Sequence, residues 1–223
     1  MRGIALCLAL ALPAAAFSQT EPAQTKPAQA APAQQAPVQF RGVYAAIDTR
    51  PAQELVRRLS AKTGGERRPA IREVLKDPSA HSPPVLYALA NALSEDDPDD
   101  AVFWYHVGRL RAVYDGLRCR DTSARQGVAA LGKSLSLALR GAQFHQRGNL
   151  VGLAQKAIDW DSKNPRNYDP RWIALYGKVA ASSPGADPGE VMLPESEWPA
   201  LLKRVHETHL KSVQDFAAQK KGG

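Results

Sequence analysis

The densest group of charged side chains that could bind a ligand lies between residues 109 and 125. Arg111, Asp115 and Arg118 are spaced at i, i+4 and i+7, so they share one helical face and Asp115 can pair with either arginine. Guanidinium groups bind carboxylate and phosphate well, which makes Arg111, Arg118 and Arg125 candidate binding residues. The alternative is that they form structural ion pairs, and we favour it. The carboxylates available for such pairs are Asp121, Asp159 and Asp161.

The segment 164–172 (NPRNYDPRW) combines arginines with aromatic residues, as interface hot spots do. Tyr168 and Arg171 are therefore further candidate binding residues. Most of the segment is also explained structurally, with Asp169 capping a helix and Tyr168 and Trp172 packing on the core.

An enzymatic alternative places a polar pocket around Arg118, Cys119, Asp121 and Arg125. Neighbouring cations lower the pKa of a thiol, although a small residue such as Cys119 is more often simply buried. The chain has no nucleophile elbow, phosphate loop or nucleotide fingerprint. Glu195-Ser196 is similar to the catalytic pair of lytic transglycosylases, but their downstream motif is missing, and Ser196 is better interpreted as a helix cap.

Two of the five histidines, His206 and His209, are spaced at i and i+3 and would lie on one helix edge. A zinc site requires a third and usually a fourth ligand, and the sequence offers none at a recognisable spacing. We predict neither a metal site nor a cofactor.

The amino-terminal residues are typical of an export signal. Arg2 precedes the apolar run 4–16, which is short for a bilayer span, and small residues near position 18 suit a signal peptidase. The alternative is an uncleaved anchor. We predict a signal peptide over 1–18, a disordered Pro/Ala/Gln tether over 19–39, one α-helical domain over 40–219 and a flexible tail over 220–223.

The remaining elements are predicted from proline and acidic caps, glycine stops and apolar periodicity. Only Val38–Ile47 alternates in a manner that could suit a strand, so the predicted fold class is all-α. Helices are expected at about 51–62 (ended by Gly64-Gly65), 69–76, 83–93, 98–117, 122–146, 150–162, 170–179 and 197–219, with a loop over 182–193.

One block is more specific than periodicity. Residues 85–112 place a leucine-bearing helix, an acidic turn and an Ala-x-x-Trp-Tyr helix in succession, and 154–161 contains a weaker copy of the same spacing. This resembles a repeat of the Sel-one-like branch of the tetratricopeptide superfamily. The resemblance implies antiparallel helix hairpins in a tetratricopeptide-like array. The expected core residues are Leu86, Leu89, Leu93, Ala101, Trp104, Tyr105, Gly108, Trp160 and Trp172.

These patterns together predict an exported, periplasmic or secreted, helical protein-binding module, of immunity type or an envelope adaptor. Its partner would be another envelope or secreted protein. Nucleic acid is not expected, despite a net charge of +7, because no reading module is present. Membrane contact would occur only through an uncleaved leader or weakly through the basic tail. The alternatives are the cell-envelope enzyme described above and a structural envelope component.

Overall fold

The computed structural model describes residues 42–62, 64–182 and 189–219. The chain divides into two units, Met1–Pro37 and Val38–Gly223, and the architecture below is that of the second. The predicted signal peptide, tether and tail lie outside the described residues.

The described residues are predominantly helical, in agreement with the all-α prediction. Ten α-helices are α1 Gly42–Ala45, α2 Arg50–Leu59, α3 Gly64–Lys76, α4 Pro83–Leu93, α5 Pro98–Arg118, α6 Gln126–Lys133, α7 Leu137–His145, α8 Leu150–Lys163, α9 Lys178–Ser182 and α10 Trp198–Ala218. Short 3-10 segments are Pro78–Ala80, Thr122–Arg125, Gln146–Gly148, Pro170–Tyr176 and Glu195–Glu197. Among the described residues, β-type pairing is confined to an isolated bridge between Cys119 and Met192. No helix in this part of the chain is long and apolar enough to cross a bilayer.

Helices α4 and α5 form an antiparallel hairpin. The side chain of Asp97 accepts a hydrogen bond from the backbone N–H of Asp100, and Pro98 occupies the first turn of α5, where a missing N–H costs nothing. Gly108 lies so close to α4 that a Cβ there would be 3.0 Å from the ring of Tyr87 and 3.2 Å from Cβ of Leu86. A small residue at position 108 therefore allows the two helices to approach.

The 21-residue helix α5 is the centre of the fold and packs against α4, α6, α7, α8 and α10. Trp104 is buried between α5 and α8, with its ring centroid 5.3 Å from that of Trp160. The other residues expected in the core are also buried, except that Tyr105 and Trp160 are partly exposed at its edge. A second, smaller apolar cluster surrounds Trp172 and Ile173.

The predicted long helix over 122–146 is wrong, because the chain breaks at Ser134–Ser136. The cause is Asn91 on α4, whose Nδ2 donates to the carbonyl of Ser134 (3.0 Å) and whose Oδ1 accepts from the backbone N–H of Ser136 (2.9 Å). Ser136 then caps α7 by accepting from the N–H of Leu139. Asn91 thus holds the backbone in a non-helical turn between α6 and α7.

The predicted helix over 170–179 is also wrong. Asp169 does cap this segment, but the chain forms a 3-10 helix to Tyr176 and restarts as α9 after Gly177. A Cβ on Gly177 would meet the carboxylate of Asp121, which accepts from the backbone N–H of Val179 (3.0 Å). The break is therefore held by a side chain from the preceding part of the fold.

Several boundaries differ for local reasons. The helix α2 ends at Leu59. Gly64-Gly65, where the sequence had indicated a stop, begin α3, and Pro69, where the next helix was expected to start, lies inside it. Residues 42–45 are helical and not extended. Ser196 does not cap α10, because a 3-10 turn over Glu195–Glu197 leads directly into Trp198.

Candidate functional site

The predicted binding residues Arg111 and Arg118 lie in a buried network of ion pairs. Arg111 on α5 pairs with Asp161 on α8, with 2.9 Å between Nε and Oδ1, and both side chains are 0% exposed. Its Nη2 also donates to the carbonyl of Pro165 (3.0 Å). Of the partners considered from the sequence for Arg111, the structure selects Asp161, so this arginine is a structural residue.

Asp161 is shared among several donors. Besides Arg111 it contacts Arg166 and lies 3.0 Å from Nε2 of His206 on α10. Burial alone would raise the pKa of Asp161, but the hydrogen bond to His206 and the nearby arginines outweigh it and lower that pKa. This carboxylate therefore ties α5, α8 and α10 together as an anion.

Asp115 organises the other half of the network. It pairs with Arg118 and accepts from the Tyr168 hydroxyl (3.1 Å) and from Nε1 of Trp172 (2.8 Å). Complete burial raises the pKa of Asp115, and these three donors oppose the rise. The guanidinium of Arg118 lies 4.0 Å from the ring centroid of Tyr114, which completes its packing.

The five residues predicted to bind a partner thus lie in three separate environments. Arg111, Arg118 and Tyr168 belong to the buried network, and Arg171 pairs with Asp169 at 2.7 Å beside its own helix cap. Arg125 is exposed and lines an open groove.

The residues of the enzymatic alternative do not share one open cleft. Arg118 and Cys119 are buried, and burial raises the pKa of the Cys119 thiol, which opposes formation of the reactive thiolate. Asp121 accepts hydrogen bonds from the backbone of Ser123 and Val179. Arg125 is exposed in a separate groove, which is lined by α5, α6 and α10.

The two histidines on α10 have separate partners. His206 contacts Asp161, whereas Nε2 of His209 lies 3.0 Å from Nδ1 of the buried His106 on α5. Among the residues that the structure describes, no group of three or more His, Cys, Asp or Glu side chains could hold a metal ion.

A first open groove, which we call the uncharged groove, has a volume of about 610 Å³ and lies between α2, α4, α6 and the 3-10 segment after Pro170. Its described lining contains no Asp, Glu, Lys or Arg. Apolar side chains form most of its surface, and amides and hydroxyls are distributed among them. The lining residues used below are Gln53, Ala88, Asn91, Trp172 and Tyr176.

A second open groove, the arginine groove, lies over α5 between α6 and α10. Two adjoining cavities of about 470 and 360 Å³ share Arg109, Val113, Leu117 and Arg125, and Arg204 on α10 lines the larger one. No Asp or Glu is present in the described lining. Val113 and Leu117 are partly exposed on its floor.

The chain matches no family model, no curated protein and no solved structure.

The sequence predictions missed most of both grooves. Arg109, Arg125 and Arg204 come from three helical regions separated by long stretches of chain, so their convergence has no local signature. One signal was present: Arg109, Val113 and Leu117 follow each other at intervals of four residues, which places an arginine and two apolar side chains on one ridge of α5.

Proposed function

We propose that this protein is an exported helical protein-binding module that holds a segment of another envelope or secreted protein in its uncharged groove. The observation that carries the proposal is the composition of that groove. In a chain with 29 basic and 22 acidic residues, a cavity of about 610 Å³ without a charged side chain in its described lining is selective for neutral ligand groups.

The chemistry of the lining suits a polypeptide. Gln53 offers an exposed amide that can donate to and accept from a peptide backbone, while Tyr176 provides aromatic surface for apolar or proline side chains. The Tyr176 side chain is 38% exposed, so part of this aromatic surface is open to solvent before a ligand arrives.

The helix arrangement and the leader support the same class of function. A tetratricopeptide-like array would use an antiparallel hairpin such as α4–α5, in which Trp104 of α5 packs against Trp160 of α8. Such arrays commonly present concave binding surfaces. The apolar run after Arg2 supports export to the periplasm or beyond. Within this class, an immunity protein and an envelope adaptor differ only in the partner.

Site-specific photocrosslinking in the producing cell tests this proposal. A photoreactive residue at Gln53 is expected to trap one discrete envelope protein, whereas the same residue at Arg72 on α3, which is exposed and outside both grooves, is not. Fractionation and amino-terminal sequencing of the same samples would establish the compartment and whether residues 1–18 have been removed.

A matched pair of variants then distinguishes binding in the groove from non-specific binding to exposed aromatic residues. Tyr176→Ala is expected to reduce the crosslink from Gln53 at least about fivefold, because it removes exposed aromatic surface from the groove. Phe144→Ala removes another exposed aromatic ring, 64% exposed on α7, and should leave the crosslink unchanged. Equal crosslinking at Gln53 and Arg72, or no product at either position, would refute the proposed function.

A further inference from the structure

We propose that the arginine groove is a second, independent binding site, and that its ligand is an acidic amphipathic helix of a partner protein. The arginine groove and the uncharged groove are different surfaces, so either proposal can be correct without the other.

The first argument is uncompensated charge. Arg109, Arg125 and Arg204 line the groove, and none of them forms a salt bridge with any described Asp or Glu. By contrast, the three arginines of α2, Arg50, Arg57 and Arg58, all have carboxylate partners. Positive groups gathered at one cleft without counter-charges attract an anionic partner.

Two histidines near the groove, His106 and His209, lie within the influence of the positive charge of Arg109. Burial is the main cause that lowers the pKa of His106 and His209, and the charge of Arg109 lowers both further. His209 itself lines the groove. An acidic side chain bound there would supply the missing negative charge.

The second argument concerns shape. Arg109, Val113 and Leu117 form an i, i+4, i+8 ridge along α5 that spans about 12 Å, or roughly two helical turns. Because α6 and α10 flank this ridge, the open space is a trough along a helix. An apolar stripe of a partner helix can contact Val113 and Leu117 there, while its flanking acidic residues reach Arg125 and Arg204.

The same geometry disfavours an anionic membrane surface. Val113 and Leu117 are only partly exposed, at the floor of the trough between two helices. A flat bilayer would reach the arginines at the rim without contacting these apolar side chains. The apolar floor is therefore used by a convex ligand.

The test uses the full chain and a synthetic helical probe. The probe is a labelled peptide of about 18 residues with leucines at i, i+4, i+7 and i+11 and glutamates at the flanking positions; its binding is measured by fluorescence anisotropy. The control peptide has the same composition in scrambled order. We expect saturable binding of the amphipathic probe, at least about tenfold weaker binding of the scrambled one, and weakening of the probe's binding as salt is raised.

Charge-reversed variants locate the site. Arg125→Glu combined with Arg204→Glu should weaken binding of the probe at least tenfold, because both side chains are exposed at the rim. Arg72→Glu combined with Lys163→Glu makes the same change in net charge at exposed positions outside both grooves and should leave binding unchanged. In NMR titrations, the probe should also raise the pKa of His209.

Three results would overturn the proposal. They are the absence of probe binding, equal weakening by the two double variants, and displacement of the probe by phosphatidylglycerol vesicles. The last result would assign the arginines to a membrane surface.

Discussion

His106 and His209 form a hydrogen-bonded pair inside the protein, with 3.0 Å between Nδ1 of the first and Nε2 of the second. The two rings join α5 to α10 and are 3% and 8% exposed. Such a bond requires one ring to donate and the other to accept, so the accepting ring must be neutral, and the lowered pKa values of the pair keep the donating ring neutral near pH 7 as well. Burial, followed by the charge of neighbouring groups, lowers the pKa of His106 to about 3 and that of His209 to about 4.

This pair predicts a loss of stability in mild acid. Because the pKa of each ring is lower in the folded chain than the ordinary value of 6.5, the unfolded chain binds protons first as the pH falls below 6.5. The free energy of unfolding should then fall with a slope that approaches about 1.4 kcal/mol per pH unit for each histidine, or about 3 kcal/mol in all between pH 6.5 and 5. Urea unfolding at a series of pH values measures this slope.

Two variants isolate the contribution of the pair. Replacing both residues, His106→Asn and His209→Gln, should remove most of the slope even if the variant is less stable at pH 7. His145→Gln, at an exposed position on α7, should keep the full slope. If the double variant retains the same pH dependence as the natural chain, the pair is not its source.

Asp115 is predicted to be the more costly of two aspartates to neutralise. In Asp115→Asn the buried Arg118 loses its carboxylate, and an unpaired buried charge is expensive, so the free energy of unfolding should fall by about 3 kcal/mol. Asp169→Asn neutralises an exposed pair with Arg171 and keeps a residue that caps equally well, so it should cost less than about 1 kcal/mol. Chemical denaturation of both variants checks the ranking, and equal losses would contradict it.

Gly127 is predicted to tolerate no side chain. A Cβ there would lie 2.7 Å from Cδ1 of Ile173 and 2.8 Å from Cγ of Tyr176, so Gly127→Ala must push α6 away from the 3-10 segment. We expect a loss of about 1 to 3 kcal/mol. Gly141→Ala, in α7 with no atom within 4 Å of the new Cβ, should instead gain about 0.5 kcal/mol from helix propensity. Thermal unfolding distinguishes the two signs, and a stabilised Gly127→Ala would show that α6 does not pack this tightly.

Cys119 is predicted to be unreactive while the protein is folded. Its side chain is 2% exposed and burial raises the pKa of its thiol. In a Cys7→Ser background, modification by a thiol reagent should be at least about 100-fold slower than in the denatured chain, since it requires local opening. Ser196→Cys in the same background introduces an exposed thiol and should react rapidly. Rapid labelling of native Cys119 would restore the case for a reactive site.

The parts of the fold that were predicted from sequence are those determined by near neighbours in the chain. The Asp97 cap with Pro98 located the start of α5, and the apolar and small residues of 85–112 indicated the hairpin. The break at Ser134–Ser136 was missed because the side chain that causes it, Asn91, lies more than 40 residues earlier. Local propensity carries no information about such a contact.

The candidate site was harder to predict for the same reason. The spacing of Arg111, Asp115 and Arg118 showed that pairing was available, but the choice of Asp161 as the partner of Arg111 depends on how α8 packs on α5. The pairing of His106 with His209 was not predicted, since the two residues are 103 positions apart in the chain. The exposed Arg125 was identified as a binding residue, whereas Arg109 and Arg204 were not, because only the folded helices bring them to one trough.

The position of α5 determines which parts of the molecule can open alone. Amide protons near Val107, at the middle of this helix, are covered by neighbours on several sides and should exchange with solvent only when the whole domain unfolds. Helices α2 and α3 pack chiefly on each other and on α4, so they can detach while the rest stays intact. A protease that samples such partial opening would first cut the chain between α2 and α4 and release a shortened but still folded core.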